Sequence, residues 1–337
     1  MLTLILLLIP IVSGSWLLLM RESTNLALPK NVALVSSVVV LIGSVYLYIN
    51  AGNASIASFQ VNWIENLGIT FHLAVDGISL LLILLTTLLT PLILLATSKW
   101  NYSNAQRLFG LILLTEAALV GVFSAQDVFL FYFFFEAALI PVYFIAAAWG
   151  GENANRITFK MFVYTIFGSL FMLVAIVYLY VKGNSSDIST LASFAPSLRA
   201  GEQGFLFGAF MLALAIKMPL FPLHTWQPDA YTESPTPATM LLSGLLSKMG
   251  VYGLIRIAVP FFPAAVEQFG FSVMLLAIIG LIYGSIIAVQ QDNMKRLVAY
   301  SSFAHMGLMA AGVLTGTVEG VQGAIFQMFA HGINAIG

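Results

Sequence analysis

The chain has 337 residues, of which 60% are hydrophobic and only 8% charged, with a formal net charge of −1. That balance excludes a nucleic-acid-binding surface and describes an integral membrane protein, not two soluble domains. Cysteine is absent, which rules out disulfides, iron–sulfur clusters and thiolate metal sites within these residues.

Windows of about 20 apolar residues predict ten membrane spans and the start of an eleventh. The first, 2–20, has the length of a signal peptide but neither a charged leader nor a small-residue cleavage site, so it is read as a span. Spans follow at 31–50, 76–98, 107–125, 127–149 and 157–181. A broken span covers 205–231. Its apolar helix reaches Lys217, meets Pro219 and Pro222, and gives way to a polar-aromatic piece with His224, Trp226 and Asp229. The remaining spans are 237–260, 270–290, 293–315 and 321 onward, the last still apolar at Gly337, as in a truncated chain.

Lys and Arg bias gives an orientation. Arg21, Lys30, Lys99, Arg107, Arg156, Lys160, Lys295 and Arg296 fall on one side of the predicted bundle, with Lys182, Arg199 and Arg256 on the other. The first set is assigned to the cytoplasm. The N-terminus and the loops 51–75 and 182–204 are then external.

A short internal echo suggests two units. Gln126-Asp127 opens the fifth span and Gln291-Asp292 the tenth; Phe159-x-Met161-Phe162 is matched by Phe326-x-Met328-Phe329. Five spans per unit invert the second copy relative to the first. The expected divisions are 1–106 (three spans), 107–260 (a first five-helix repeat) and 261–337 (an incomplete second repeat). The fold class is thus an all-α polytopic membrane protein with inverted five-helix repeats, a broken seventh helix and a truncated second repeat.

Six titratable residues sit well inside spans: Glu116, Glu136, Lys217, Lys248, His305 and His331. Ionisable groups at such depth are costly, and by default they mark function. Glu136 lies roughly 13 Å into a hydrocarbon layer about 30 Å thick, counted by helix rise from Asp127. Similar counts from Pro237, Asp292 and Glu319 put Lys248, His305 and His331 in the same middle layer. A nearby carboxylate favours a charged lysine and burial a neutral one, so movement of Glu136 relative to Lys217 would load or unload a proton. Glu136 could instead be a static counter-ion between helices. Lys248 could be a lysine paired to a helix end, and each histidine a hydrogen-bonded core residue. Glu116 fits either role equally. His224 and Asp229 could form an entry path or simply fasten the short half-helix, and the latter is favoured. Asp76, Asp127 and Glu233 are expected at interfaces as caps or loop anchors. No nucleotide loop, haem-spaced histidine pair or metal-ligand cluster is evident, so electrons are not expected to pass through this chain.

The segment KMPLFPLHTWQPDAYTESPTPATMLLSGLLSKMGVYGLIR resembles the proton-channel signature of the antiporter-like subunits of respiratory complex I. QDVFLFYFFFEAALIPVYFIAAAWGG and DNMKRLVAYSSFAHMGL are similar to the same family, and the surroundings of Lys248 are most similar to its chain 4 type. The resemblance runs from about residue 70 to the end. It implies Glu136 and Lys217 as a coupling pair, Lys248 as central relay, and His305 and His331 as the continuing path. It also implies a 14-span parent fold of which about 150 residues lie beyond Gly337, including a second broken helix with an exit-side Glu or Lys. The parent would be a proton-translocating subunit of NADH-quinone oxidoreductase in an inner (cell) membrane. NAD, FMN, iron–sulfur clusters and quinone would be held by partner subunits, with neighbouring antiporter-like subunits among its partners. Subunits of multisubunit Na+/H+ antiporters and membrane-bound hydrogenases share the Glu–Lys–Lys pattern.

Overall fold

A computed structural model describes residues 1–21, 27–50 and 54–337. Part of the predicted loop 51–75 thus lies outside the described residues. Nine of the described helices are long and apolar enough to cross a membrane: α1 (Leu2–Leu19), α2 (Ala27–Ile49), α3 (Gly77–Thr97), α4 (Ala105–Ser124), α5 (Val128–Trp149), α6 (Ala154–Gly183), and then α10 (Thr236–Phe261), α11 (Pro263–Val289) and α12 (Met294–Leu314). Between α6 and α10 come the short α7 (Ile188–Phe194), then α8 (Ala200–Lys217) and α9 (Gln227–Glu233); α13 (Val318–Ile336) ends the chain.

The helix starts follow from caps and prolines. Asp76 caps α3 by accepting from Ser79 N–H at 2.9 Å, and Asp127 caps α5 through Phe129 and Leu130. Asn293 and Thr317 cap α12 and α13 in the same way. Proline stands in the first turn of α9, α10 and α11, where its missing N–H costs nothing.

Helices α4 and α10 are the most enclosed and form the centre; α1, α2, α6 and α11 ring them with broad apolar faces exposed. Helices α1 and α4 cross at Gly14 and Gly110. A Cβ on Gly110 would stand 2.7 Å from the Gly14 carbonyl oxygen, so only glycine permits this approach.

The loop after α2 carries structure that the sequence reading did not anticipate. Strands β1 (Phe59–Ile64) and β2 (Ile69–Leu73) pair antiparallel, and Gly68 supplies the left-handed turn residue at φ 62°. The hairpin is tied to the helix ends beneath it. Leu73 bridges to Ala125, Asp127 to Asp187, and Thr70 N–H donates to the Asp127 carboxylate at 3.3 Å. These contacts define a hairpin end of the bundle. At the opposite end, Asp229 lies 3.8 Å from Lys160 and 3.7 Å from Arg296, fastening α9 to α6 and α12.

Candidate functional site

The broken span is built by its prolines. Helix α8 stops at Lys217, residues 218–226 run as turns past Pro219 and Pro222, and the chain becomes helical again at Gln227. Breaking a helix in the apolar layer leaves carbonyls that need partners. Trp226 donates its indole N–H to Ile216 O at 3.1 Å, and Leu220 N–H reaches Ala215 O at 2.7 Å. His224 is buried, stacked on Phe303 with ring centroids 4.2 Å apart, and its Nδ1 has no hydrogen-bond partner among the described residues.

Lys217 is enclosed at the end of α8. Its Nζ donates to the Phe135 carbonyl at 3.4 Å and stands 4.7 Å above the centroid of the Phe135 ring. Glu136, the next residue, is half-buried and close enough to act on Lys217 electrostatically, but the two make no ion pair within 4.0 Å. One Glu136 oxygen, Oε1, has no partner among the described residues. Helix α5 is interrupted at Ala138, directly after this pair. The cause lies in Pro141, which cannot donate an N–H back to residue 137 and crowds that carbonyl.

Lys248 lies in α10 between two π-helical segments, Leu242–Leu246 and Leu254–Ala258. Such wide turns concentrate at functional sites. The Lys248 ammonium folds back to donate to the Ser243 carbonyl and lies 2.7 Å from His331 Nδ1. Lys248 is fully buried, and no carboxylate pairs with it among the described residues. Helices α10 and α13 meet closely here, since a Cβ on Gly332 would stand 3.1 Å from the Gly244 carbonyl oxygen and 2.9 Å from Leu85.

His331 passes the contact onward. Its ring centroid is 5.3 Å from that of His305, whose Nδ1 accepts from the Gln327 amide at 3.0 Å. A cavity of about 130 Å3, bordered by Ser301, Ser302, His305, Gln327, His331 and Asn334, has space for water beside both rings. With charged Lys248 donating, His331 Nδ1 is the acceptor and the ring is neutral; with neutral Lys248 the roles can reverse. The pair can thus hold one mobile proton in two places.

The six candidates fall into three sets. Lys248, His331 and His305 form one contiguous group, and Glu136 and Lys217 a second. Glu116 stands apart on α4, fully buried, with both carboxylate oxygens unpartnered among the described residues. The two lysine-bearing segments touch, since a Cβ on Gly250 would lie 2.7 Å from Met218 Cβ. Sequence reasoning missed Gln327 and the Ser243 carbonyl. It also missed Tyr252 and Arg256, which follow Lys248 at i+4 and i+8, a spacing visible in the sequence. Among the described residues, no group of three or more His, Asp or Glu is placed to hold a metal ion.

A family profile described as NADH:quinone oxidoreductase/Mrp antiporter, transmembrane, matches residues 125–337. The chain belongs to this family. Among its relatives, NADH-quinone oxidoreductase subunit M of Rickettsia prowazekii is 37% identical over 96% of the chain, covering 67% of that protein. The Pseudomonas aeruginosa subunit M is 39% identical over 98% of the chain and 69% of its own length. NADH-ubiquinone oxidoreductase chain 4 of Metridium senile is 41% identical over 81% of the chain. The chain spans about two thirds of the curated relatives it matches, 67% of one and 62% of the next.

Among solved structures, respiratory complex I from Thermus thermophilus with bound NADH contains a chain superposing with a TM-score of 0.91 at 31% identity, covering 100% of this chain and 69% of that one. The Mrp complex from Dietzia superposes with a TM-score of 0.88 at 19% identity, covering 100% of this chain and 36% of that one, a likeness of fold. This family member therefore has the antiporter-like membrane fold, as the broken span and buried lysines lead one to expect.

Proposed function

We propose that this family member moves protons across the inner (cell) membrane as part of a proton-translocating NADH-quinone oxidoreductase. Names of the relatives and the complex I superposition support that assembly. The Lys248–His331 hydrogen bond, buried in the middle of the bundle, is the observation that carries proton translocation. Glu136 acts as the movable charge that sets the protonation of Lys217, its unpaired oxygen leaving it free to shift toward the ammonium. Lys248 receives the proton from the Lys217 side and hands it through His331 to His305. Glu116 supplies a further buried carboxyl on α4, apart from both groups.

In this reading the N-terminus and the hairpin end face the non-cytoplasmic side. Residues 107–260 form a first five-helix unit, 261–337 begin an inverted second one, and 1–106 flank both. Neighbouring antiporter-like and other membrane subunits are the partners, set in lipid. NAD, FMN, iron–sulfur clusters and quinone work in those partner subunits, and this chain contributes proton transfer alone.

Replacing Glu136→Gln in the full-length protein within its assembled complex tests the reading. NADH-driven quinone reduction and proton uptake are followed together in inverted membrane vesicles. Loss of proton uptake by a correctly assembled complex is the expected result. Unchanged pumping removes Glu136 from the mechanism, and selective loss of sodium–proton exchange assigns the chain to an antiporter.

A further inference from the structure

Three residues of α10 stand above one another at helical spacing: Lys248, Tyr252 and Arg256. The line runs from the mid-bundle lysine to the hairpin end. At its middle, the Tyr252 hydroxyl donates to Phe123 O at 3.0 Å and shares a 3.1 Å hydrogen bond with Ser79 Oγ. Both side chains are buried, Tyr252 at 1% and Ser79 at 0% exposure. The tyrosine ring packs edge-on against Phe123 at 5.3 Å and beside Phe131 at 6.4 Å. The hydroxyl proton of Tyr252 is committed to the Phe123 carbonyl, so Ser79 is the donor in the second bond and its proton is committed as well.

One turn further out the setting becomes wet. Arg256 donates to Asp76 at 2.6 Å and to Gln126 Oε1 at 2.8 Å, and Gln126 in turn donates to Ala74 O at 3.1 Å. A cavity of about 50 Å3 beside Asp76 and Gly77 is large enough for water. Asp76 also caps α3 through Ser79 N–H, so the wet and dry levels are joined by one turn of α3. The Arg256 and Asp76 side chains keep 27% and 39% exposure, against 1% at Tyr252 one turn inward.

We propose that Tyr252, held by Ser79 and Phe123 O, is a positioning residue that seals Lys248 from the hairpin end, so that its proton leaves sideways through His331. This rests on the proton-relay function proposed above. A pump whose central lysine met both aqueous phases would short-circuit the gradient it builds. The Tyr252 level prevents this by ring packing and by committing both hydroxyl protons within the protein, so that neither is free to join a water chain. The Asp76–Arg256–Gln126 cluster clamps α10 to α3 and to the turn before α5, holding that level shut.

The test uses the assembled complex in sealed proteoliposomes, with wild type, Tyr252→Phe, Tyr252→Ala, Lys248→Ala and the Tyr252→Ala/Lys248→Ala double variant. Passive proton leak without NADH and NADH-driven proton uptake are both recorded. Tyr252→Ala is expected to raise the leak by roughly tenfold, the factor given by a barrier about 1.4 kcal/mol lower. Its NADH:quinone electron transfer persists. Tyr252→Phe, which keeps the ring but frees the Ser79 hydroxyl and the Phe123 carbonyl, raises the leak by less than Tyr252→Ala does. Adding Lys248→Ala to Tyr252→Ala returns the leak to the wild-type level, because the route opened runs through that lysine. A tight Tyr252→Ala complex overturns the seal. So does a leak that survives the double replacement, which marks general damage. Normal pumping by Lys248→Ala alone sinks the relay function itself, a result separate from the other two.

Discussion

Lys248 Nζ and His331 Nδ1 are 2.7 Å apart although 83 positions separate them in the chain. Among the described residues, the ammonium's hydrogen-bond partners are this ring and the Ser243 carbonyl. Replacing His331→Ala leaves a buried ammonium with one acceptor fewer. Such a loss costs about 1–3 kcal/mol or more for a charged group. The expected outcome is proton uptake reduced severalfold or more with electron transfer partly retained. His331→Gln, which keeps an acceptor without a titrating ring, recovers electron transfer but not pumping. Proton uptake per electron in inverted vesicles separates the two.

Gly332 sets the distance between α10 and α13. Gly332→Val places a branched side chain against Leu85 and the Gly244 carbonyl, so the helices must part. Overpacking of this kind costs about 1–3 kcal/mol. The variant is expected to melt several degrees lower and to lose pumping along with the Lys248–His331 contact. A variant with unchanged melting and pumping would show that the crossing tolerates a side chain.

Pro141 keeps α5 open just beyond Glu136. Pro141→Ala supplies an N–H for the carbonyl of residue 137 and lets the helix close. Glu136 then loses its freedom to shift toward Lys217. Electron transfer with a lowered proton-to-electron ratio is the expected result, and a normal ratio would detach the interruption from coupling.

Asp127 joins the hairpin to α5 outside the apolar layer. It accepts from Thr70, Phe129 and Leu130 N–H groups and from the Ser186 hydroxyl. Burial nonetheless pushes its carboxyl above the ordinary range, outweighing those hydrogen bonds. A folded-state pKa above the unfolded one means that the folded protein holds the proton more tightly. Its favourable contribution is therefore complete at low pH and is lost as pH rises through the folded value. Relative to Asp127→Asn, the wild type should lose melting temperature over the interval that opens above about pH 4, the ordinary carboxylate value. Parallel melting curves over that interval would contradict the sign.

The fold was largely legible because apolar length dominates in lipid. The predicted spans recur within a few residues for α1, α4, α5 and α12. The predicted start at 270 misses α11 by a turn and more. Glu267 and Gln268 look like loop, while Pro263 in fact begins the helix. Likewise Arg199 N–H donates to the Glu202 carboxylate, a cap that draws α8 back to Ala200, ahead of the predicted 205. The hairpin escaped notice since its stability comes from contacts with α5 and the loop before α7, not from its own alternation.

Of the candidate site, burial and depth were legible, but pairing was not. Counting helix rise places Lys248, His305 and His331 in one layer, yet depth says nothing about which way each helix faces. The expected carboxylate partner of Lys217 stands off, and a carbonyl takes its place. Glu116, at a comparable depth, makes no hydrogen bond to either cluster among the described residues. Such facing depends on close crossings such as Gly244–Gly332, which only the packed bundle reveals.

Both buried lysines are held by main-chain oxygens, Lys217 by that of residue 135 and Lys248 by that of residue 243. Every amino acid carries the same oxygen, so exchange of the side chains at 135 and 243 leaves those acceptors in place. Scanning mutagenesis is therefore blind to these two acceptors, although it reads the His331 ring beside Lys248 and the Phe135 ring beside Lys217. Replacing the amide that follows residue 135 or 243 with an ester would weaken the carbonyl as an acceptor while leaving every side chain untouched. Half of each charge site is thus written in backbone geometry, which no codon change at 135 or 243 can erase.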